Sequence, residues 1–144
     1  MQSPIKILIM GLSGSGKTTL ATQLAAKLHA VHFNADEIRK NICADLTFSP
    51  IDRIEQSKRL GWLSTQVTKA GHNTVVDFIC PTVATRVAFG SCYLIFVDTV
   101  KSSKYADTDA LFVAPASPDY KISSFVDHEE HIKCILQDIN KRQL

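Results

Sequence analysis

The segment Gly11-Leu12-Ser13-Gly14-Ser15-Gly16-Lys17-Thr18 matches the spacing G-x-x-x-x-G-K-[ST] at every fixed position. Glycine at positions 11, 14 and 16 lets the backbone curl until successive N–H groups point at one anion. The positive end of a helix starting at Lys17 would add to that field. Lys17 is placed to reach the β- and γ-phosphates of a nucleotide, and the Thr18 hydroxyl to ligate magnesium. Ser13, Ser15 and Thr19 complete the predicted nucleotide-binding set, and ATP with Mg2+ is the cofactor pair it implies.

A phosphate loop alone does not distinguish a switch, a motor and a kinase. The chain has no N-K-x-D guanine-reading motif and is short for a motor, which leaves a small kinase. Such an enzyme needs a carboxylate to orient or deprotonate an acceptor hydroxyl, and cations to hold an anionic substrate. Asn34-Ala35-Asp36-Glu37-Ile38-Arg39 offers an acid and a base three residues apart. Taken alone Asp36 reads as a helix N-cap before it reads as that carboxylate, and the residues that follow turn the balance. Phe48-Ser49-Pro50-Ile51-Asp52-Arg53 and Lys58-Arg59 follow closely. Asp77 ends an apolar run and has two readings, a second carboxylate acting on magnesium through water or a strand-end residue bonding local backbone. The five histidines form no H-x-x-x-H or H-E-x-x-H pattern; His128 and His131 share a helix face without an evident third ligand, and Trp62 reads as packing.

The elements that must position these residues are legible in the hydrophobic pattern. Ile5 to Met10 is a run buried on both faces, as in a parallel strand. Leu20, Leu24 and Leu28, with Ala21 and Ala25, give the apolar stripe of a helix from Lys17 to Leu28. Val31 to Phe33 predicts a short strand, and Asp36 to Asp45 a helix. Pro50 opens a helix to about Ala70, with Ile51, Ile54, Leu60, Leu63 and Val67 near its apolar face and Gly71 as its stop. Thr74 to Ile79 and Tyr93 to Asp98 are further strands, separated by a short helix from Pro81 to Gly90. Residues 99–119 read as a loop, followed by a weak strand from Tyr120 to Ser123. Asp127 and Glu130 give a D-x-x-E cap to a last helix with Ile132, Ile135, Leu136 and Ile139 inward. Alternating strands and helices predict an α/β fold of the P-loop NTPase type: a mainly parallel sheet of about five strands with helices on both faces.

Composition narrows the remaining choices. The 144 residues carry 45% apolar and 21% charged side chains, which fits one globular domain spanning 1–144. Sixteen basic against fourteen acidic residues leave +2, too little for nucleic-acid binding by bulk charge. The run Ile7 to Met10 is too short for a membrane span or a signal core, so a cytoplasmic protein with no membrane partner is expected. The four cysteines are never closer than 12 residues, which fits reduced thiols rather than a C-x-x-C site.

At this point the chain resembles the adenylylsulfate kinase family, which phosphorylates the ribose 3′-hydroxyl of adenosine 5′-phosphosulfate (APS) with ATP. That family's stretches read approximately G-L-S-G-S-G-K-T-T, D-G-D-N-I-R, L-G-F-S-x-x-D-R-x-E-N-x-R-R and I-S-P. Here they are matched in order by residues 11–19, 34–39, 46–59 and 79–81. The resemblance implies that Asp36 sits near magnesium and orients or accepts the proton of the 3′-hydroxyl. It implies that Arg39 and Arg53 hold the phosphosulfate, that Phe48 stacks on the adenine where it would otherwise be read as core, and that Gln56 and the Ile79 backbone lie at the substrate. A homodimer is also implied. The departures are Asn34 for the first acid of D-G-D, Gln56 for the asparagine of E-N, and Cys80 for the serine of I-S-P. After Asp98 the family's basic lid, R-D-x-K-G-L-Y-K-K-A, is shortened to almost nothing, with Lys101 and Lys104 the remaining cations. These departures keep two alternatives in view: a kinase of another nucleotide-linked or small hydroxyl acceptor, and an ATP-binding module that transfers nothing.

Overall fold

The computed structural model describes residues 3–125 and 128–143. Five strands, β1 (Lys6–Met10), β2 (Val31–Asn34), β3 (Thr74–Asp77), β4 (Tyr93–Val97) and β5 (Tyr120–Ile122), form one sheet in the order β2-β3-β1-β4-β5. Every pairing is parallel. Six helices are interspersed among the described residues: α1 (Lys17–Leu28), α2 (Ala35–Asn41), α3 (Pro50–Lys69), α4 (Val83–Phe89), α5 (Ala106–Leu111) and α6 (His128–Gln143). None is long and apolar enough to cross a membrane.

Alternation along β1 divides the core in two. Ile7 and Ile9 join Leu20, Leu24, Ile132, Ile135 and Ile139 under α1 and α6, while Leu8 and Met10 join Leu60, Phe78, Phe89 and Phe96 under α3 and α4. The expected stripe of the last helix is thus buried; its proposed cap, Asp127, lies outside the described residues.

Three expectations need correction. The helix after β2 spans Ala35–Asn41, and its cap is Asn34, whose side chain accepts the Glu37 N–H at 3.0 Å. Asp36 is therefore in the first turn rather than at the cap. The buried face of α3 is not the apolar one: Leu60 is buried, but Ile51 and Ile54 are exposed while Arg53, Gln56, Ser57, Gly61 and Ser64 face inward. The cause is the closeness of α4. The Ser57 hydroxyl donates to Thr85 O at 2.7 Å, and a Cβ on Gly61 would lie 2.2 Å from Phe89 O. Only small side chains fit such a seam. Finally, residues 99–119 are not all loop, because α5 forms within them. The Asp109 carboxylate receives both the N–H and the hydroxyl of Ser103, at 2.7 and 2.6 Å, which fixes the approach to a helix too short to show a period.

Replacing Gly61 by alanine forces the α3–α4 seam apart. The expected loss is about 1–3 kcal/mol of folding free energy, read from the midpoint of a urea unfolding curve against the native chain.

Candidate functional site

In a parallel sheet the loops after the strands gather at the carboxyl edge, and here those after β1, β2 and β3 meet. A cleft of about 610 Å³ runs between them, from Ser13, Gly14, Gly16, Lys17, Thr18 and Thr19 at one end to Arg39, Phe48, Arg53 and Gln56 at the other. Gly11 and Ser15 brace the loop from beneath. A Cβ at Gly11 would sit 2.4 Å from Val97 O, and Ser15 O accepts the Thr99 hydroxyl at 2.7 Å. Gly14 and Gly16 adopt φ of 84° and 99°, which side-chain-bearing residues rarely accept.

Lys17 is only 9% exposed, with its Nζ donating to Leu12 O at 3.0 Å. Burial pulls its pKa down to about 8, although Asp77 and Asp36 act in the opposite direction. An ammonium held this far from water stands to gain from an anion beside it.

The strand-end carboxylate left with two readings is the most constrained acid in the cleft. Asp77 is 2% exposed. Its Oδ2 accepts from the Thr18 hydroxyl at 2.6 Å and from Asn34 Nδ2 at 2.8 Å, and its Oδ1 lies 2.6 Å from His32 Nε2. Burial opposes its ionisation, but the bonds from His32, Thr18 and Asn34 outweigh that and hold the carboxyl below its ordinary value. Asp77 bonds three side chains rather than local backbone. The sequence signal for it was an acid closing an apolar run; the partners come from 43 to 59 residues away and carried no local mark.

Asp36 lines the same cleft and is exposed to it. Across from it, the 46–48 loop is held by both arginines. Arg39 donates to Leu46 O and Thr47 O at 3.3 and 3.0 Å, and Arg53 Nε donates to Phe48 O at 2.7 Å. Asp52 secures the loop's other side through the Thr47 N–H and hydroxyl at 2.8 and 2.6 Å. Phe48 is not core: it is 62% exposed, with the Arg39 guanidinium 4.2 Å from its ring centre. Burial and the neighbouring Arg53 push the Arg39 pKa down, as expected where two guanidiniums share one wall. Gln56 is buried, its Nε2 donating to Ala35 O at 3.1 Å and its Oε1 without a hydrogen-bond partner. Ile79 and Pro81 line the cleft on either side of Cys80, whose thiol burial pushes up to about 11 and keeps protonated.

The strap around α5 brings Lys104, Tyr105, Asp107 and Thr108 to the cleft. Lys101 is not brought there. Its side chain is 88% exposed and lies 3.7 Å from Asp98, beside a separate hollow. The structure thus does not bring it together with the other residues expected at the substrate. Among the described residues no group of three or more His, Cys, Asp or Glu is arranged to hold a metal alone, so the His128–His131 pair has no such site. The Thr18 hydroxyl and the oxygens of Asp77 and Asp36 nevertheless suit a hard divalent cation whose other ligands are phosphate and water.

Sheet order, phosphate loop and the cleft at the carboxyl edge define a domain of the phosphate-loop fold. The profile of the adenylylsulphate kinase family matches residues 3–113, and the chain belongs to that family. It is 37% identical over 100 residues to the adenylyl-sulfate kinase of Shigella flexneri, covering 62% of this chain and 50% of that protein. It is 34% identical over 109 residues to the bifunctional enzyme NodQ of Azospirillum brasilense, covering 68% of this chain and 18% of that protein. The chain thus spans half or less of the length of these relatives. Its fold is similar to that of the Mycobacterium tuberculosis APS kinase solved with AMPPNP and APS, with a TM-score of 0.83 at 22% identity over 97% of this chain and 99% of that one. A gluconokinase from Sinorhizobium meliloti shares the fold with a TM-score of 0.73 at 13% identity, over 99% of this chain and 95% of that one.

The lowered pKa of Lys17 has a consequence for the empty protein. Because the folded value, about 8, lies below the unfolded 10.5, the protonated side chain opposes folding below pH 8, and that penalty is relieved between pH 8 and 10.5. Lys17→Met should stabilise the nucleotide-free protein at pH 7 by about 2 kcal/mol. The advantage over the native chain should shrink towards zero by pH 10.5, checked by urea unfolding of both at each pH.

Proposed function

We propose that this chain is an ATP-dependent kinase that phosphorylates the 3′-hydroxyl of adenosine 5′-phosphosulfate, yielding 3′-phosphoadenosine 5′-phosphosulfate and ADP. One observation carries the reading: a single cleft joins Lys17 and Thr18 to Asp36, Arg39, Phe48 and Arg53. Family membership and the solved relative that binds AMPPNP and APS support it.

The triphosphate lies in the phosphate loop, its terminal oxygens met by backbone N–H groups and by Lys17. Asp36 takes the hydrogen bond, and then the proton, of the acceptor hydroxyl. The hydroxyl oxygen bonds to the γ-phosphorus as the bond from that phosphorus to the β–γ bridging oxygen breaks, and ADP departs. Lys17 stabilises the charge that develops on the transferred group and the leaving oxygen. Magnesium, when bound, would neutralise phosphate charge, held from the protein side by Thr18 and the neighbouring carboxylates. Arg39 and Arg53 pair with the phosphosulfate, because planar guanidiniums match its oxygens. Phe48, braced by Arg39, offers its open face to the adenine. Gln56 Oε1, without a hydrogen-bond partner, is an acceptor for a substrate donor, and Ile79 supplies backbone at the base's edge. Lys104, on the strap, is the remaining cation over the cleft.

A second reading changes only the acceptor, to another hydroxyl compound of smaller negative charge. It is favoured by Asp107, whose Oδ2 lies 3.3 Å from Arg53 and offsets part of the positive wall.

Titrating APS into enzyme, ATP and magnesium should release ADP in step with a 3′-phosphorylated product. ADP release that ignores APS but responds to another hydroxyl compound would select the second reading, and tight ATP binding with no stimulating acceptor would leave a non-catalytic module. Within the first reading, Asp36→Ala should lower kcat by about 100-fold or more, while Phe48→Ala should raise KM for APS by about tenfold with kcat little changed.

A further inference from the structure

We propose that the carboxylate of the cation site stands on β3, at Asp77, rather than on β2 at position 34, and that Asn34 is the neutral partner this placement requires. The inference rests on the kinase reading and deepens it. Thr18 has one hydroxyl proton, and Oγ1 lies 2.6 Å from Asp77 Oδ2. An ionised carboxylate can only accept, so the proton goes to Asp77; with Asn34 Nδ2 donating to Oγ1 at 3.3 Å, one threonine lone pair is left for a cation.

Asn34 explains why position 34 carries no acid beside Asp77. Its Oδ1 is committed to the cap of α2 through the Glu37 N–H at 3.0 Å. The amide nitrogen must then face the other way, and it lies 2.8 Å from Asp77 Oδ2 and 3.3 Å from Thr18 Oγ1. An aspartate at 34 holding the same cap would set a second oxygen against Asp77 at that distance. Two carboxylates so close cannot both ionise in a buried site. The amide replaces that repulsion with a hydrogen bond. The departure from the D-G-D pattern at position 34 and the acid at position 77 are therefore two halves of one arrangement.

His32 completes it. The β2–β3 register sets Asn34 opposite Asp77, and His32, two residues back on β2, reaches Asp77 Oδ1 at 2.6 Å. Both oxygens of Asp77 are thus fixed from the neighbouring strand, with Oδ2 turned to Thr18.

The test uses ADP and Mn2+ as probes, with bound Mn2+ counted by electron paramagnetic resonance and ADP affinity measured by calorimetry with and without metal. The native chain should bind ADP alone and bind it at least tenfold more tightly with Mn2+. Asp77→Asn should bind metal-free ADP at least as tightly as the native chain, which also reports an intact fold, while the Mn2+ gain falls below threefold. Asn34→Asp in the Asp77→Asn background should restore that gain to within threefold of native. A full Mn2+ gain in Asp77→Asn, or none in the double variant, overturns the proposal. Should Asp77→Asn fail to fold, Asn34→Asp alone decides: a change of threefold or less supports a site already supplied with its carboxylate, and a tenfold gain overturns it. A native chain that binds no ADP with or without metal instead sinks the kinase reading itself.

Discussion

The cleft is organised around a cation kept out of water. Lys17 Nζ rests against Leu12 O at the base of the phosphate loop, where burial works against its charge and Asp77 and Asp36 work for it. That tension requires the loop to be rigid, since a loop free to open would let water solvate the ammonium. Rigidity comes from below: Gly11 passes so close to Val97 O that no side chain fits, and Ser15 O takes the Thr99 hydroxyl. The phosphate loop is thereby pinned to the end of β4.

The same constraint reaches sideways through the sheet. Because β3 lies between β1 and β2, the acid that ends it faces Thr18 on one side and Asn34 on the other. A one-residue slip of β3 would turn Asp77 to the opposite face of the sheet and put Val76 or Phe78 in its place. Register is protected by the division of the core, with Val75 under α1 and α6 and Val76 under α3 and α4. Packing of ordinary aliphatic residues thus fixes the position of one carboxylate to within hydrogen-bonding distance.

Much of this was legible in the sequence, for reasons that differ by element. The phosphate loop could be read because its function lies in backbone shape, and shape of that kind demands glycine at fixed positions. The strands and α1 could be read because burial on both faces, or along one stripe, leaves an unbroken hydrophobic record. The inward face of α3 could not. Where it meets the backbone of α4 the buried residues are small, Ser57 and Gly61, and Arg53 and Gln56 are buried as well, while Ile51 and Ile54 stand exposed. The α5 helix was hidden by its length and by a dependence on Ser103 and Asp109 that no periodicity reports. Asp77 kept two readings in the sequence because the side chains it bonds lie on β2 and α1, far away in the chain.

The arginine end of the cleft follows a different logic from the phosphate-loop end, and that bears on which acceptor the proposed reaction would take. Arg39 and Arg53 spend part of their donor capacity on the carbonyls of Leu46, Thr47 and Phe48. They therefore build the loop that presents Phe48 as well as facing the cleft. An anion arriving there meets guanidiniums already fixed in direction, which lowers the ordering cost of binding. It also meets Asp107, brought to Arg53 by the α5 strap. A doubly charged group would displace that carboxylate and gain both arginines, whereas a neutral hydroxyl compound would leave the Arg53–Asp107 pair intact. Since Asp107 is mostly exposed, displacing it into water carries little penalty, so in the proposed reaction the salt bridge is a weak obstacle to an anionic acceptor.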